Sequence, residues 1–274
     1  MTSVHREPVF NIPSVVLVLL AVMAVVQVWR EFLPEADDID LIARFAFVPG
    51  RFTFVFDHAS VVERVSRWAA SANAEVRRQG VVAGFFIGDG FSKPWTLLTY
   101  AFLHGNWAHL GLNSVWMLAF GTPVARRFGS ARFLAFMAVT AVAGAVAHWL
   151  CFPFGFSPVI GASAAVSGLM GAALRFMFHR SQRGSDPEAA SSLTLYEVFR
   201  DRRTLSFLAV WFVTNGLFGV GSEAFGITDA PVAWQAHVGG FVAGLFLFPL
   251  FDPPWHQAPS SREDLRSASV EPSD

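Results

Sequence analysis

Charge is scarce in this chain. Only 15% of its 274 residues are Asp, Glu, Lys or Arg, where a soluble protein carries about 25%. The formal net charge of −1 provides neither a basic field for nucleic acid nor an acidic one for a cationic partner. The single cysteine, Cys151, excludes an internal disulfide framework. No His-Glu-x-x-His string occurs, which removes the helical zinc-protease signature. No internal repeat of useful period is visible, which argues against an inverted-repeat transporter. No Asp or Glu stands within the long apolar runs, which argues against a proton-coupled carrier.

Apolar runs fill the sequence instead. It is 53% hydrophobic, with a mean hydropathy of +0.45. A bilayer-crossing helix needs about 20 mostly apolar residues. Six segments qualify: 12–29, 107–124, 133–152, 159–177, 205–221 and 231–251. The first is longer than the apolar core of a secretory signal and no small-residue cleavage site follows it, so it reads as an uncleaved anchor. Pro153, Gly155 and Pro158 divide the uncharged stretch between the third and fourth. The expectation is an all-α membrane protein, a six-transmembrane-helix bundle, because backbone in lipid must satisfy its own hydrogen bonds.

Orientation follows from arginine. Arg126, Arg127 and Arg132 lie between spans two and three, and Arg180, Arg183, Arg200, Arg202 and Arg203 between spans four and five. The connections after spans three and five carry no Lys or Arg, only Glu223 and Asp229. Arginine-bearing loops are retained in the cytoplasm, which places both termini inside. The expected layout is a cytoplasmic segment 1–11, a membrane domain 12–251 with a long outer loop 33–93, and a polar, disordered cytoplasmic tail 252–274. Within the outer loop, 61–78 is predicted to form one amphipathic surface helix.

Polar residues inside apolar spans are costly and mark function. Ser163 opens the apolar part of span four, and His237 is the only ionisable side chain between Asp229 and Asp252. At about 1.5 Å per residue, both lie roughly 7–10 Å below the outer boundary, and His109 and Asn113 sit at a similar level in span two. Ser163, Ser167 and Gly171 share one face of span four, and His237, Gly240, Phe241 and Gly244 one face of span six. Small residues let helix backbones approach closely, so meeting stripes would bring Ser163 and His237 together. A serine hydroxyl attacks a carbonyl when a neighbouring base takes its proton, and His237 can then return that proton to the leaving amine. The Ser163 backbone N–H and the side chains of His109 and Asn113 could stabilise the oxyanion. With no carboxylate to orient the histidine, a dyad is expected rather than a triad. No metal or cofactor is called for.

Three motifs carry a family resemblance. Gly161-Ala162-Ser163-Ala164 resembles the rhomboid G-x-S-x motif. His109-Leu110-Gly111-Leu112-Asn113 resembles the family's H-x-x-x-N, and Ala236-His237-Val238-Gly239-Gly240, continuing to Gly244, resembles its A-H-x-G-G-x-x-x-G. The resemblance covers about 94–251. It implies an intramembrane serine protease of the bacterial inner membrane that cuts transmembrane protein substrates near their outer end. It makes Ser163 the nucleophile, His237 the base, and His109 and Asn113 the oxyanion donors. The chain departs from the pattern at Ala164, often Gly in the family, and at Ser167, often an aromatic that stacks on the histidine. It departs again at Trp95-Thr96, where the family has Trp-Arg.

Simpler readings stand beside these. A membrane-helix serine commonly bonds its own helix, and His237 could be an interhelical hydrogen-bonder. His109 and Asn113 could serve helix packing. His104 and Asn106 read as polar loop residues, His148 as interfacial with cavity lining as its alternative, and Trp107, Trp116, Trp149 and Trp234 as interface or packing residues. The loop arginines read as topology determinants. The rival function is a catalytically silent rhomboid relative that binds transmembrane clients. A soluble-type serine hydrolase would want G-x-S-x-G at a strand-to-helix turn, but Ala165 occupies the last position and the context is helical. The oligomeric state is not encoded legibly.

Overall fold

The computed structural model describes residues 12–88, 90–177, 192–221 and 232–253. The segments 1–11 and 254–274, together with Arg180, Arg183, Glu223, Asp229 and Pro231, lie outside the described residues. Apart from one isolated β-bridge, the described secondary structure is helical. Helices α1 (Ser14–Glu31), α9 (Ser130–Cys151) and α13 (Trp234–Phe251) are each long and apolar enough to cross a membrane.

After α1 the chain forms a small helical lobe: α2 (Glu35–Phe45), α3 (Pro49–Phe56), α4 (His58–Ala69) and α5 (Ala74–Ile87). The single helix expected over 61–78 is in fact the end of α4 and the start of α5. The break comes at 71–73, where the short polar side chains of Ser71 and Asn73 compete with the helix for backbone groups. Asn73 Oδ1 accepts from the Glu75 N–H at 2.9 Å and caps α5. Gly80 of α5 lies against the end of α4, where a side chain would meet the Ala69 nitrogen at 2.5 Å.

The lobe clasps the segment that leads to Ser163. Phe47 and Val159 exchange backbone hydrogen bonds of 3.1 and 2.7 Å, and the Gly50 N–H donates to the Gly155 carbonyl at 2.7 Å. Thr53 Oγ1 donates to the Pro153 carbonyl and accepts from Trp149 Nε1 at 2.9 Å. Trp149 is thus a tether between the lobe and α9 as well as an apolar packer.

Helix α6 (Thr96–Thr99) and a 3₁₀ turn (Tyr100–Phe102) precede α7 (Trp107–Trp116). Helix α7 passes through a π-turn (Met117–Gly121) into α8 (Thr122–Phe128) without leaving helical geometry. Pro123 has no N–H to return to residue 119, and the wider turn before it absorbs the missing bond. Gly129, at φ 73°, is then the whole connection to α9. The expected loop between spans two and three therefore does not exist as a loop. Arg126 and Arg127 end α8, and Arg132 lies in the first turn of α9.

Helix α10 (Ser163–Ala173) is shorter than the expected 159–177. Its approach is held extended by the Phe47–Val159 bridge and turned by Gly161, at φ 117°. This is left-handed backbone that a β-carbon disfavours. After α11 (Leu195–Val198) and α12 (Arg202–Gly221), α13 returns through the bundle.

Every residue of α10 from Ala164 to Ala173 is buried. It packs parallel to α13 with backbone touching backbone. A methyl at Gly240 would sit 2.7 Å from the Ala164 carbonyl carbon, and one at Gly244 would sit 2.6 Å from Gly168 Cα. Gly171 is closed in the same way by Leu245 of α13, at 2.8 Å from its nitrogen. On the α9 side, Gly168 abuts Thr140 and Gly144 abuts Ala164, each leaving 2.5 Å for a β-carbon.

Asp252 does not begin a loose tail. It is buried and takes both Arg127 Nε at 2.6 Å and Nη2 at 2.9 Å. The two side chains are 0% and 1% exposed. Arg127 also lies over the rings of Phe176 and Phe248. It is therefore an internal tie of the fold, beyond any part it plays in topology.

Candidate active site

Ser163 is the first residue of α10, half-buried, directly after the Gly161 turn. The turn is fixed from below, because the Gly161 N–H donates to the Tyr100 carbonyl at 2.9 Å. Tyr100 itself is anchored by its hydroxyl, which donates to the Ala141 carbonyl at 2.8 Å. The serine is thus carried by backbone tied to α9 and to the lobe.

His109, in the first turn of α7, stands over this turn. A β-carbon at Gly161 would lie 2.7 Å from His109 Cε1, 2.8 Å from Nε2 and 3.8 Å from Ser163 Oγ. Only glycine leaves room for the imidazole beside the serine. Asn106 caps α7, its Oδ1 accepting from the His109 N–H at 2.8 Å, so it is an N-cap rather than a free loop residue. Asn113, one turn on, is buried and donates one amide hydrogen to the His109 carbonyl at 3.0 Å. Its second amide hydrogen is available for another acceptor.

His237 is the fourth residue of α13, one turn before the Gly240–Ala164 contact. That contact places the openings of α10 and α13 side by side, with Ser163 and His237 at the same end. Among the described residues, no hydrogen bond joins Ser163 Oγ to His237. Ser167, buried one turn below Ser163, offers no ring that could stack on the imidazole.

His104 and Asn215 escape the sequence reading, and His148 takes the lesser of its two readings. His104 is fully buried rather than a polar loop residue. Its ring meets His109 edge-on at 5.1 Å, and its Nε2 accepts from the Ala162 N–H at 3.4 Å. His148 of α9 reaches across to Gln235 of α13, with Nδ1 and Oε1 3.3 Å apart, so it belongs to the polar layer of the site rather than to an interface alone. Asn215 of α12 places its Oδ1 2.7 Å from His237 Nδ1. Nothing in the sequence around Asn215 signals this, because a lone asparagine in an apolar helix carries no motif.

Comparison with known proteins points the same way. Residues 92–251 match the family model of the Rhomboid domain. The chain is 27% identical over 152 residues to Rhomboid protease GluP of Bacillus subtilis, covering 56% of this chain and 25% of that protein. It is 29% identical over 155 residues to Rhomboid protease GlpG of Klebsiella pneumoniae, covering 56% of this chain and 47% of that one. With RHOMBOID-like protein 5 of Arabidopsis thaliana it shares 27% over 172 residues, 63% of this chain and 48% of the other. The matched region thus spans about a quarter of GluP and about half of the other two. Since the family match covers more than half of the chain and includes the helices that bear Ser163, His237 and His109, this membrane-embedded protein belongs to the rhomboid family.

Proposed function

We propose that the chain is an intramembrane serine endopeptidase that cleaves peptide bonds in or near transmembrane segments of membrane-protein substrates. The observation that carries this reading is the backbone contact between Ala164 and Gly240. It leaves Ser163 and His237 at one end of two adjacent helices whose separation no side chain can adjust. His237 takes the Ser163 hydroxyl proton as the oxygen attacks the scissile carbonyl, and delivers it to the leaving amine. The developing oxyanion lies near the Ser163 N–H, His109 Nε2 and the second amide hydrogen of Asn113. Gly161, Ser167, Gly171, Gly240 and Gly244 act by allowing close packing.

The reading extends to six membrane crossings. To α1, α9 and α13 it adds the continuous helix 107–128, the segment 163–177 and α12. Residues 12–251 form the membrane domain, with 33–93 as an outer loop, and 1–11 and the region beyond Asp252 are cytoplasmic. Arg126, Arg132, Arg200, Arg202 and Arg203 sit at the bundle end opposite Ser163, which supports cytoplasmic termini and an outward-facing site in a bacterial inner membrane.

One observation favours the alternative, a silent relative that binds transmembrane clients: Ser163 and His237 are not hydrogen-bonded. Catalytic hydrogen bonds often tighten only when substrate arrives. Labelling of the purified protein in lipid with a fluorophosphonate, alongside Ser163→Ala and His237→Ala, tests the point. Labelling of the unmutated protein, lost in both variants, is the expected result. No labelling, where an active rhomboid protease reacts, would overturn the hydrolase reading and favour the silent one.

A further inference from the structure

We propose that Asn215 is a positioning residue for His237, a neutral third member standing behind the Ser163–His237 pair; this rests on the hydrolase reading above. The asparagine amide is oriented by its own helix. Its Nδ2 donates to the Trp211 carbonyl at 2.8 Å, so that atom is the nitrogen and the atom facing the histidine is the oxygen. Oδ1 has lone pairs only, and at 2.7 Å from His237 Nδ1 it requires a hydrogen on that nitrogen. A neutral imidazole protonated at Nδ1 carries its free lone pair on Nε2. The direction of one amide therefore fixes the tautomer that leaves Nε2 able to accept the serine proton.

The support extends one turn along both helices. Trp211, whose carbonyl holds Asn215, stacks on Phe241 of α13 with centroids 4.3 Å apart and planes 26° apart. Phe241 in turn lies one turn beyond His237. The Trp211–Phe241 stack and the Asn215–His237 hydrogen bond thus form two adjacent rungs between α12 and α13, the first setting the register of the second. From α10, Ser167 contributes no ring, and from α9, His148 is engaged with Gln235. Asn215 is the group that holds the Nδ1 side of the imidazole. An amide can do this at low cost in an apolar bundle, where an aspartate would have to be buried charged. When His237 takes the serine proton, both ring nitrogens carry hydrogen. The Asn215 oxygen then faces the cationic ring and stabilises it without itself changing protonation.

The test uses the full chain in phospholipid bicelles and an alkyl fluorophosphonate, with Ser163→Ala as the blank. Asn215→Leu keeps the volume and removes the acceptor; Asn215→Gln keeps both the amide donor and the acceptor. Asn215→Leu should slow the maximal inactivation rate on the order of 10–100-fold while leaving the half-saturating probe concentration unchanged, and Asn215→Gln should recover part of the rate. Nitrogen-15 spectra of labelled histidine should show His237 protonated at Nδ1 in the unmutated protein and a mixture of tautomers in Asn215→Leu. A purely structural asparagine would change thermal stability but neither the tautomer nor the split between rate and affinity. Unchanged inactivation and an unchanged tautomer in Asn215→Leu overturn the role of Asn215 alone. Failure of the unmutated protein to react overturns the hydrolase reading, and with it any catalytic use of the pair. The unmutated protein's spectrum needs no variant to fold, and an Nε2-protonated His237 there overturns the proposal by itself.

Discussion

His109 and Asn113 share a helix face yet stand differently in the site. The imidazole of His109 occupies the space that a side chain at Gly161 would fill, beside Ser163 Oγ, whereas Asn113 has already given one amide hydrogen to its own helix. His109→Ala should therefore lower kcat by about 10²–10³-fold, the usual cost of one oxyanion donor, and Asn113→Ala by less. In both variants KM should move little, because the partner appears only in the transition state. Steady-state kinetics on a transmembrane substrate would check this, and a larger loss at Asn113 would reverse the assignment. At this scale the sequence is readable where chemistry and spacing coincide: serine after glycine, histidine four residues before asparagine, histidine before paired glycines. It is silent where function depends on a partner from another helix. His104 and Asn215 look like stray polar residues until α10 and α13 are set beside them.

The helices repeat this contrast. Hydropathy locates the apolar segments because each must hide its backbone in the same way. It cannot set their ends, which depend on local hydrogen bonding. The Phe47–Val159 bridge and the Gly161 turn shorten α10, and Gly129 closes what charge counting would leave as a loop. The glycine stripe on α13 is legible and its use is specific: each glycine meets a backbone, not a flexible side chain. Gly240→Val should accordingly prise α10 from α13, since Ala164 cannot rotate out of the way. A loss of about 1–3 kcal/mol is expected for such overpacking, read as a lower midpoint in thermal or detergent unfolding. Loss of fluorophosphonate labelling should accompany it, as Ser163 and His237 separate. Retained labelling at unchanged stability would mean that the two helices do not rely on this contact.

Over the whole molecule, two ties lie far apart in sequence. The lobe 33–93 grips the segment before Ser163 through Phe47, Gly50 and Thr53, and Arg127 grips Asp252 at the opposite end. The composition of 33–93 suggests a surface appendage, and that of 252–274 a free tail. Neither suggests a clasp, because long-range pairing leaves no periodic mark. Breaking a buried ion pair by removing one partner costs about 3–5 kcal/mol. Asp252→Ala should therefore destabilise the fold strongly, with Asp252→Asn milder because it keeps one acceptor. Denaturant titration in bicelles would measure both, and parity of Asp252→Ala with the unmutated protein would reduce the pair to a surface contact. Between these ties lies α10, ten of its eleven residues buried and its glycines pressed against neighbouring chain. Such a helix has almost no room for sequence drift. Substitutions that α1 would accept on its largely exposed apolar faces would be purged from α10, so the two helices should accumulate change at very different rates although both are equally apolar to the eye.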